Sequence, residues 1–327
     1  MLFVDNQETT DPRLNLAIEE HLLRNVQLVE PLLLFYINAP SVIIGRNQNS
    51  IEEIDPDFVR ENNIHVVRRL SGGGAVYHDL GNLNFSFITQ GKHDLHNFEK
   101  FTRPVVAVLQ SLGVEAALQG KSNIFLAGKK ISGNAQYAAL GRMFSHGTIL
   151  FDTNLENMLR AINPRQVKIE SKSVQSVRSF VTNIREHLPE AMDIAQLRQA
   201  LLTGIFGQGD VPMYVLSDSD WEQIREIATQ RYMTWDWNYG RSPAFNIQKS
   251  EKLDVGTLDV RIDVANGRIQ SLKIFGDFSG QQDVAELEMG LTGLRYDAKV
   301  VAEALIGHNL DSYFGPLEKE TFLNLLF

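Results

Sequence analysis

Leu14, Ala17, Ile18 and Leu22 recur at helical spacing behind Asp11-Pro12. An aspartate acceptor followed by a proline suits the start of a helix, so a capped amphipathic helix is predicted there. Residues 32–38 and 41–44 are short, almost unbroken apolar runs divided by Ala39-Pro40, and read as strands joined by a tight turn. A short helix over 57–62 leads into a strand over 64–69, and 83–89 alternates as a further strand. The spacing of Val105, Val108, Leu109 and Leu112 predicts a helix over 98–112. Strands at 124–126, 130–137 and 144–151 follow, then helices at 154–162, 188–206 and 219–231.

The texture changes at Trp235-Asp236-Trp237-Asn238-Tyr239-Gly240-Arg241-Ser242-Pro243, which is aromatic and rich in turn formers. Beyond it, Asn266-Gly267 sits between alternating runs at 258–264 and 268–275, a strong hairpin signal. Short helices are predicted at 283–291, 298–305 and 317–326. We therefore expect two domains, 1–243 and 244–327, with the boundary near Pro243. A chain of 327 residues also exceeds what one core usually supports.

Composition narrows the function classes. No run approaches the length of a membrane span, and residues 1–11 lack the basic and apolar regions of a signal peptide, so the expected location is cytoplasmic. Cysteine is absent, which closes disulfides, thiolate metal sites, iron–sulfur clusters and thiol nucleophiles. The net charge of −9 argues against general nucleic-acid binding. Within that acidic chain, Arg160, Arg165, Lys168, Lys172, Arg178 and Arg185 face only Glu170, a local excess of +5 that suits an anionic ligand or acidic partner, or else a solvated face.

Three segments carry candidate chemistry. In Arg68-Arg69-Leu70-Ser71-Gly72-Gly73-Gly74-Ala75-Val76-Tyr77-His78-Asp79, three glycines let backbone N–H groups curl around an anion, and two guanidinium groups beside them call for countercharge. The glycines match neither the phosphate-loop nor the dinucleotide fingerprint. In Gly128-Lys129-Lys130-Ile131-Ser132-Gly133-Asn134-Ala135-Gln136, Lys130 begins a strand of small and polar residues and is expected to point inward, with Lys129 on the opposite face. Phe144-Ser145-His146-Gly147-Thr148 contains a strand histidine. A serine–histidine–acid hydrolase is possible on inventory, but no nucleophile-elbow motif is present and no pairing is legible. The 8 histidines show no metal-binding spacing, so no metal site is expected.

Residues 68–82 (RRLSGGGAVYHDLGN), preceded by Gly45-Arg46-Asn47-Gln48-Asn49 and followed by 130–136, together resemble the lipoate–protein ligase A family, within the biotin/lipoate ligases. Ser176-Val177-Arg178-Ser179-Phe180-Val181-Thr182-Asn183 and WDWNYGRSPAF at 235–245 are similar to the same family. The match runs in order over about residues 1–245, and the remainder suits the family's C-terminal accessory domain.

The resemblance implies an α+β fold: a mixed-sheet catalytic domain and a small α+β accessory domain. It also implies ATP-dependent activation of lipoate to lipoyl-AMP, with release of pyrophosphate, then transfer to a lysine of lipoyl-carrier domains. Those carriers would be the 2-oxoacid dehydrogenase complexes or the glycine cleavage H protein. By resemblance Arg69, Gly74, Ala75, Val76, Tyr77, Asn84, Thr148 and Lys130 match ATP-binding positions. Ser71, Gly72, Gly73, His146 and Gly147 would shape the lipoate side, and Lys130 would serve both substrates and act in catalysis. Asn123 stands where the family often has an aspartate, so magnesium is expected to travel on the ATP phosphates. The alternatives are a transferase that uses preformed lipoyl-AMP and a non-catalytic lipoate- or carrier-binding module. A cysteine-thioester transferase is closed by composition.

Overall fold

The computed structural model describes residues 1–162, 180–240, 247–265 and 267–327. Its strands are β1 (Leu2–Asp5), β2 (Leu32–Ile37), β3 (Ser41–Ile44), β4 (His65–Arg68), β5 (Val76–His78), β6 (Asn82–Gln90), β7 (Ala116–Gln119), β8 (Asn123–Leu126), β9 (Lys129–Ala139), β10 (Arg142–Leu150), β11 (Met213–Tyr214), β12 (Ile247–Leu253), β13 (Gly256–Ala265) and β14 (Arg268–Gly276). Eight of them form one mixed sheet in the order β11-β1-β2-β6-β10-β9-β8-β7. The β1 pairings are parallel and the others antiparallel. A smaller sheet, β4-β3-β5, lies beside it, and β12-β13-β14 form a third.

The apolar run of β2 is explained by burial on both faces. Leu33 and Phe35 join Phe85, Phe87 and Ile149 in a core shared with helices Phe98–Ser111 and Ile194–Phe206. Leu32, Leu34 and Tyr36 face the other way and pack with Leu16, Leu22, Phe144 and Ile224, under helices Pro12–Arg24 and Asp218–Ile227. The Asp11 side chain caps the first of these helices, with Pro12 at its opening position.

Several elements depart from the sequence expectation. The helix expected from 188 begins at Ile194, where Asp193 and Gln196 form a capping box that sets its start. The helix at Asp218–Ile227 continues through Tyr232 as a π-helical turn. Strands β1, β7, β11 and β12 are additional to those predicted. The β12 sequence Ile-Gln-Lys-Ser-Glu-Lys-Leu lies on an edge with most side chains exposed, so it carries little apolar signal. The expected turn residue Asn266 and the boundary residue Pro243 lie outside the described residues.

A separate apolar cluster is built from β13, β14 and the helices of residues 284–326, including Leu258, Ile274, Val284, Phe314 and Phe322. This C-terminal unit rests against the glycine loop. Gly276 N donates to Asn47 O at 2.9 Å, and Arg46 Nη2 meets Asp283 Oδ2 at 2.6 Å. A Cβ on Gly72 would collide with the Phe278 carbonyl, so only glycine permits this approach.

Candidate functional site

Cross-strand register places the candidate residues in rows on one face of the large sheet. Tyr36, Asn84 and Thr148 pair across β2, β6 and β10; the next row runs Leu34, Ser86, His146 and Ala135. Residues directly opposite share a face. Above this face lie β3, β5 and the loop Arg69–Ala75, and between the layers opens a cavity of about 410 Å³. Arg69, Gly73, Gly74, Ala75, Val76, Asn84, Lys130, His146, Gly147 and Thr148 all border it. A second, more apolar cavity of about 230 Å³ lies between Val76, Tyr77, Leu150, Met158, Ile162, Phe180 and Val181. Ala75, Val76, Lys130, Gly133 and Thr148 belong to both.

Lys130 is half-buried at this junction. Its backbone N donates to Phe180 O at 2.9 Å and its carbonyl accepts from Thr182 N at 3.2 Å. A bulge shifts the pairing so that Phe125 opposes Lys130 while Ile124 opposes Ser132. Burial, with Arg69 nearby, holds the ammonium below its ordinary pKa. Lys129 borders neither cavity.

The two arginines divide their work differently from a phosphate clamp. Arg68, 1 % exposed, donates to the carbonyls of Gly45, Arg46, Gln48 and Trp237 at 2.6–2.9 Å and to Ser50 Oγ at 2.7 Å. Buried carbonyl dipoles thus meet the paired arginines, and the carboxylates of Glu19 and Glu53 add countercharge near Arg69. Trp237 Nε1 returns a bond to Arg68 O at 2.8 Å and Asn238 Oδ1 accepts from Arg68 N at 2.9 Å, which explains the aromatic segment near 235. Arg69 donates to Ile43 O (3.0 Å), Ser71 Oγ (3.0 Å), Gly72 O (2.6 Å) and Gly74 O (2.9 Å). Burial lowers it to about 10, still cationic at neutral pH. It clasps the glycine loop from behind. Gly73, at φ +88°, makes the turn that brings these carbonyls to one guanidinium.

Ser71 and Gly72 border neither cavity. With Glu19 as carboxylate, His146 Nδ1–H donates to it at 2.9 Å, and Ser71 hydroxyl donates to His146 Nε2 at 2.8 Å. Serine, histidine and acid are therefore in line. Ser71 is nevertheless fully buried and borders neither cavity, so a substrate has no access to it for a hydrolase reaction. The line instead ties helix Pro12–Arg24 to β10 and the glycine loop. Glu19 carries no sequence signal, because a glutamate on a helix looks solvated until its partner, 127 residues away, is known.

Of the basic stretch, Arg160 lies over the Phe58 ring, 4.2 Å from its centroid, and Arg185 pairs with Asp152. Arg165, Lys168, Lys172 and Arg178 lie outside the described residues, as do 176–179 and 241–245 of the motifs. Among the described residues no three His, Cys, Asp or Glu side chains converge to hold a metal ion, and Asn123 borders the larger cavity. Asn84 spends its amide on Tyr36 O (3.1 Å) and Thr148 Oγ1 accepts from Gly133 N (3.2 Å), so both brace the strands around the cavity.

Residues 11–206 match the family model of the lipoyl protein ligase A/B catalytic domain, and 242–326 match the bacterial lipoate protein ligase C-terminus. The chain is 53% identical to lipoate-protein ligase LplJ of Bacillus subtilis over 100% of both chains. It is similar, at 30% identity and TM-score 0.66, to the bipartite lipoate protein ligase of Thermoplasma acidophilum, solved in a study of that enzyme and its E2 lipoyl domain; 75% of this chain and 98% of that one are covered. A lipoate-protein ligase A structure bound with ATP matches at 30% identity and TM-score 0.61, covering 73% of this chain and 97% of that one.

Proposed function

Because the chain belongs to the lipoyl protein ligase A/B family, and is an ATP-dependent lipoate–protein ligase, we propose that its two joined cavities divide the substrates and that Lys130 works at their junction. The reaction activates lipoate to lipoyl-AMP with release of pyrophosphate and passes the lipoyl group to a carrier lysine. Magnesium enters with ATP as its co-substrate. The observation that carries the residue assignment is the shared wall of Lys130, Ala75, Val76, Gly133 and Thr148.

The smaller slot, walled by Leu150, Met158, Phe180 and Val181, suits a flat base, and the larger cavity suits the acid. The carboxylate and the α-phosphorus then meet beside the Lys130 ammonium. The carboxylate oxygen attacks phosphorus and pyrophosphate leaves; later the carrier amine attacks the acyl carbon and AMP leaves. Neither step needs a protein nucleophile. The protein's work is to hold two anions in line and stabilise charge on the phosphoryl group. Gly73, Gly74 and Ala75 offer backbone at the cavity rim. Arg69 and Ser71 act through the loop they hold, Gly72 through its seat under Phe278, and His146 and Gly147 through the floor of the acid's cavity.

The carriers we propose are the lipoyl domains of 2-oxoacid dehydrogenase complexes or the glycine cleavage H protein, and the setting is the cytoplasm, where ATP is supplied. Incubating the protein with ATP, magnesium and lipoate should release pyrophosphate without any acceptor, and adding an apo lipoyl domain should give a lipoylated product by mass. Transfer only when lipoyl-AMP is supplied would instead make it a transferase, and neither activity would make it a binding module.

We also propose two domains, 1–243 and 244–327. The second is acidic, net −5 over 245–327, and is poorly suited to attract an acidic carrier. It instead packs on Asn47 and Gly72 and brings Asp277 to the cavity wall. Deleting it should impair lipoyl-AMP formation more than transfer from supplied lipoyl-AMP, both measured on the same preparation. Equal loss of the two half-reactions would refute this division of labour.

A further inference from the structure

A chain of amide side chains behind the larger cavity determines which nitrogen of His78 carries its proton. The carbonyls of Thr9 and Ile37 can only accept, so Asn15 must turn its Nδ2 toward them, at 2.9 and 3.2 Å. Its Oδ1 correspondingly accepts from Asn6 Nδ2 at 2.9 Å. The two hydrogens of Asn15 Nδ2 are shared among those carbonyls and Asn38, at 2.9 Å. An amide nitrogen of Asn38 there would set two N–H groups against each other, so Asn38 presents Oδ1 and turns Nδ2 to His78 Nδ1 at 3.0 Å. His78 Nδ1 is therefore an acceptor and the proton sits on Nε2. That Nε2–H is buried and has no acceptor among the described residues, while the ring, 4 % exposed, borders the larger cavity. A buried donor without a partner is destabilising, and native structures rarely keep one without use.

The charge around it is positive. Burial above all, with the Arg69 guanidinium nearby, pushes His78 down to about 3, so the ring stays a neutral donor throughout the neutral range. Arg69 depresses Lys130 as well, so one guanidinium lies near both side chains. Glu19 is engaged by His146. An oxygen bearing negative charge suits this corner better than an alkyl tail does.

Resting on the ligase reading above, we propose that His78 is a further substrate-binding residue, whose Nε2–H donates to one carboxyl oxygen of the acid while the other oxygen attacks phosphorus. The bond carries over to lipoyl-AMP, whose acyl carbonyl oxygen is what remains of that carboxyl group. Nothing local marks His78, which stands between Tyr77 and Asp79, and its partner Asn38 is 40 residues away.

The test compares His78→Phe, which keeps a ring and removes the donor, with His78→Gln, whose amide can place an N–H near the lost Nε2. Lipoate-dependent pyrophosphate release is measured at varied lipoate, octanoate and ATP. His78→Phe should raise KM for lipoate and for octanoate by the same factor, about tenfold or more for a hydrogen bond to a charged group, with KM for ATP unchanged. His78→Gln should recover most of the loss. A loss confined to lipoate would assign the donor to the ring sulfurs and overturn the proposal, as would an unchanged KM or an inactive Gln variant that is folded. Wild-type protein without any lipoate-dependent pyrophosphate release would sink the ligase reading itself, not this residue. Should His78→Phe fail to fold, ¹⁵N imidazole spectra of the wild type decide the matter: Nε2 protonated across neutral pH, with its resonance moved by octanoate alone. A protonated Nδ1, or no response to octanoate, counts against the proposal.

Discussion

Lys130→Ala is expected to reduce the rate of lipoyl-AMP formation by about 10²–10³, equivalent to roughly 2.7–4 kcal/mol of transition-state stabilisation. The ammonium stands where the two cavities join, half-buried and with no acceptor bonded to it among the described residues. Charge built up on the phosphoryl group meets it more closely in the transition state than in the separated substrates, so the loss falls on kcat and not only on KM. Thermal stability should stay close to wild type, since removing a side chain that borders open space leaves no buried acceptor unsatisfied. Lys129→Ala supplies the control: one residue back on β9 and outside both cavities, it should retain most activity. Both are assayed by pyrophosphate release at saturating ATP and lipoate. An inactive Lys129 variant beside an active Lys130 variant would show that the register on β9 is misread; two active variants would move the site elsewhere.

Arg68→Leu should act in the opposite way, through stability. The guanidinium joins carbonyls of the Gly45–Gln48 loop to that of Trp237 in the short helix Trp235–Asn238, and removing it leaves several buried acceptors without donors. Each unsatisfied buried group costs about 1–3 kcal/mol, partly relieved by relaxation of the loops. A total of about 3–5 kcal/mol is expected, which at roughly 2–4 °C per kcal/mol lowers Tm by on the order of 10 °C. Arg68→Lys should rescue little, because one ammonium with three donors cannot span acceptors placed around a planar fork. Thermal unfolding of the three proteins checks this, and a loss below about 1 kcal/mol for Arg68→Leu would mean that the loops hold each other without the arginine.

Periodicity and capping are local properties, and the elements they govern were legible. The helix behind Asp11-Pro12 is readable because an acceptor, a proline and apolar residues at helical spacing need no distant partner. The apolar run of β2 reads as a strand because burial on both faces leaves no polar positions. Edge strands such as β12 and the two-residue β11 escaped, since pairing along one side imposes little pattern on the side chains.

By itself the sequence determined that the protein is a cysteine-free α+β chain with a contiguous glycine loop, an inward lysine candidate on a strand of small residues, and motifs that together specify one family. It could not apportion the two adjacent arginines, which look equivalent in RRLSGGG. Only the fold decided that Arg68 binds carbonyls 20 and 169 residues away while Arg69 clasps the glycines beside it. The serine–histidine–glutamate line and the proton on His78 Nε2 are likewise tertiary, set by partners on helix Pro12–Arg24 and at Asn38. The physical reason is the same in each case. Backbone period and turn chemistry are written into neighbouring residues, whereas a buried polar group takes its role from whichever distant donor or acceptor the packing brings within 3 Å.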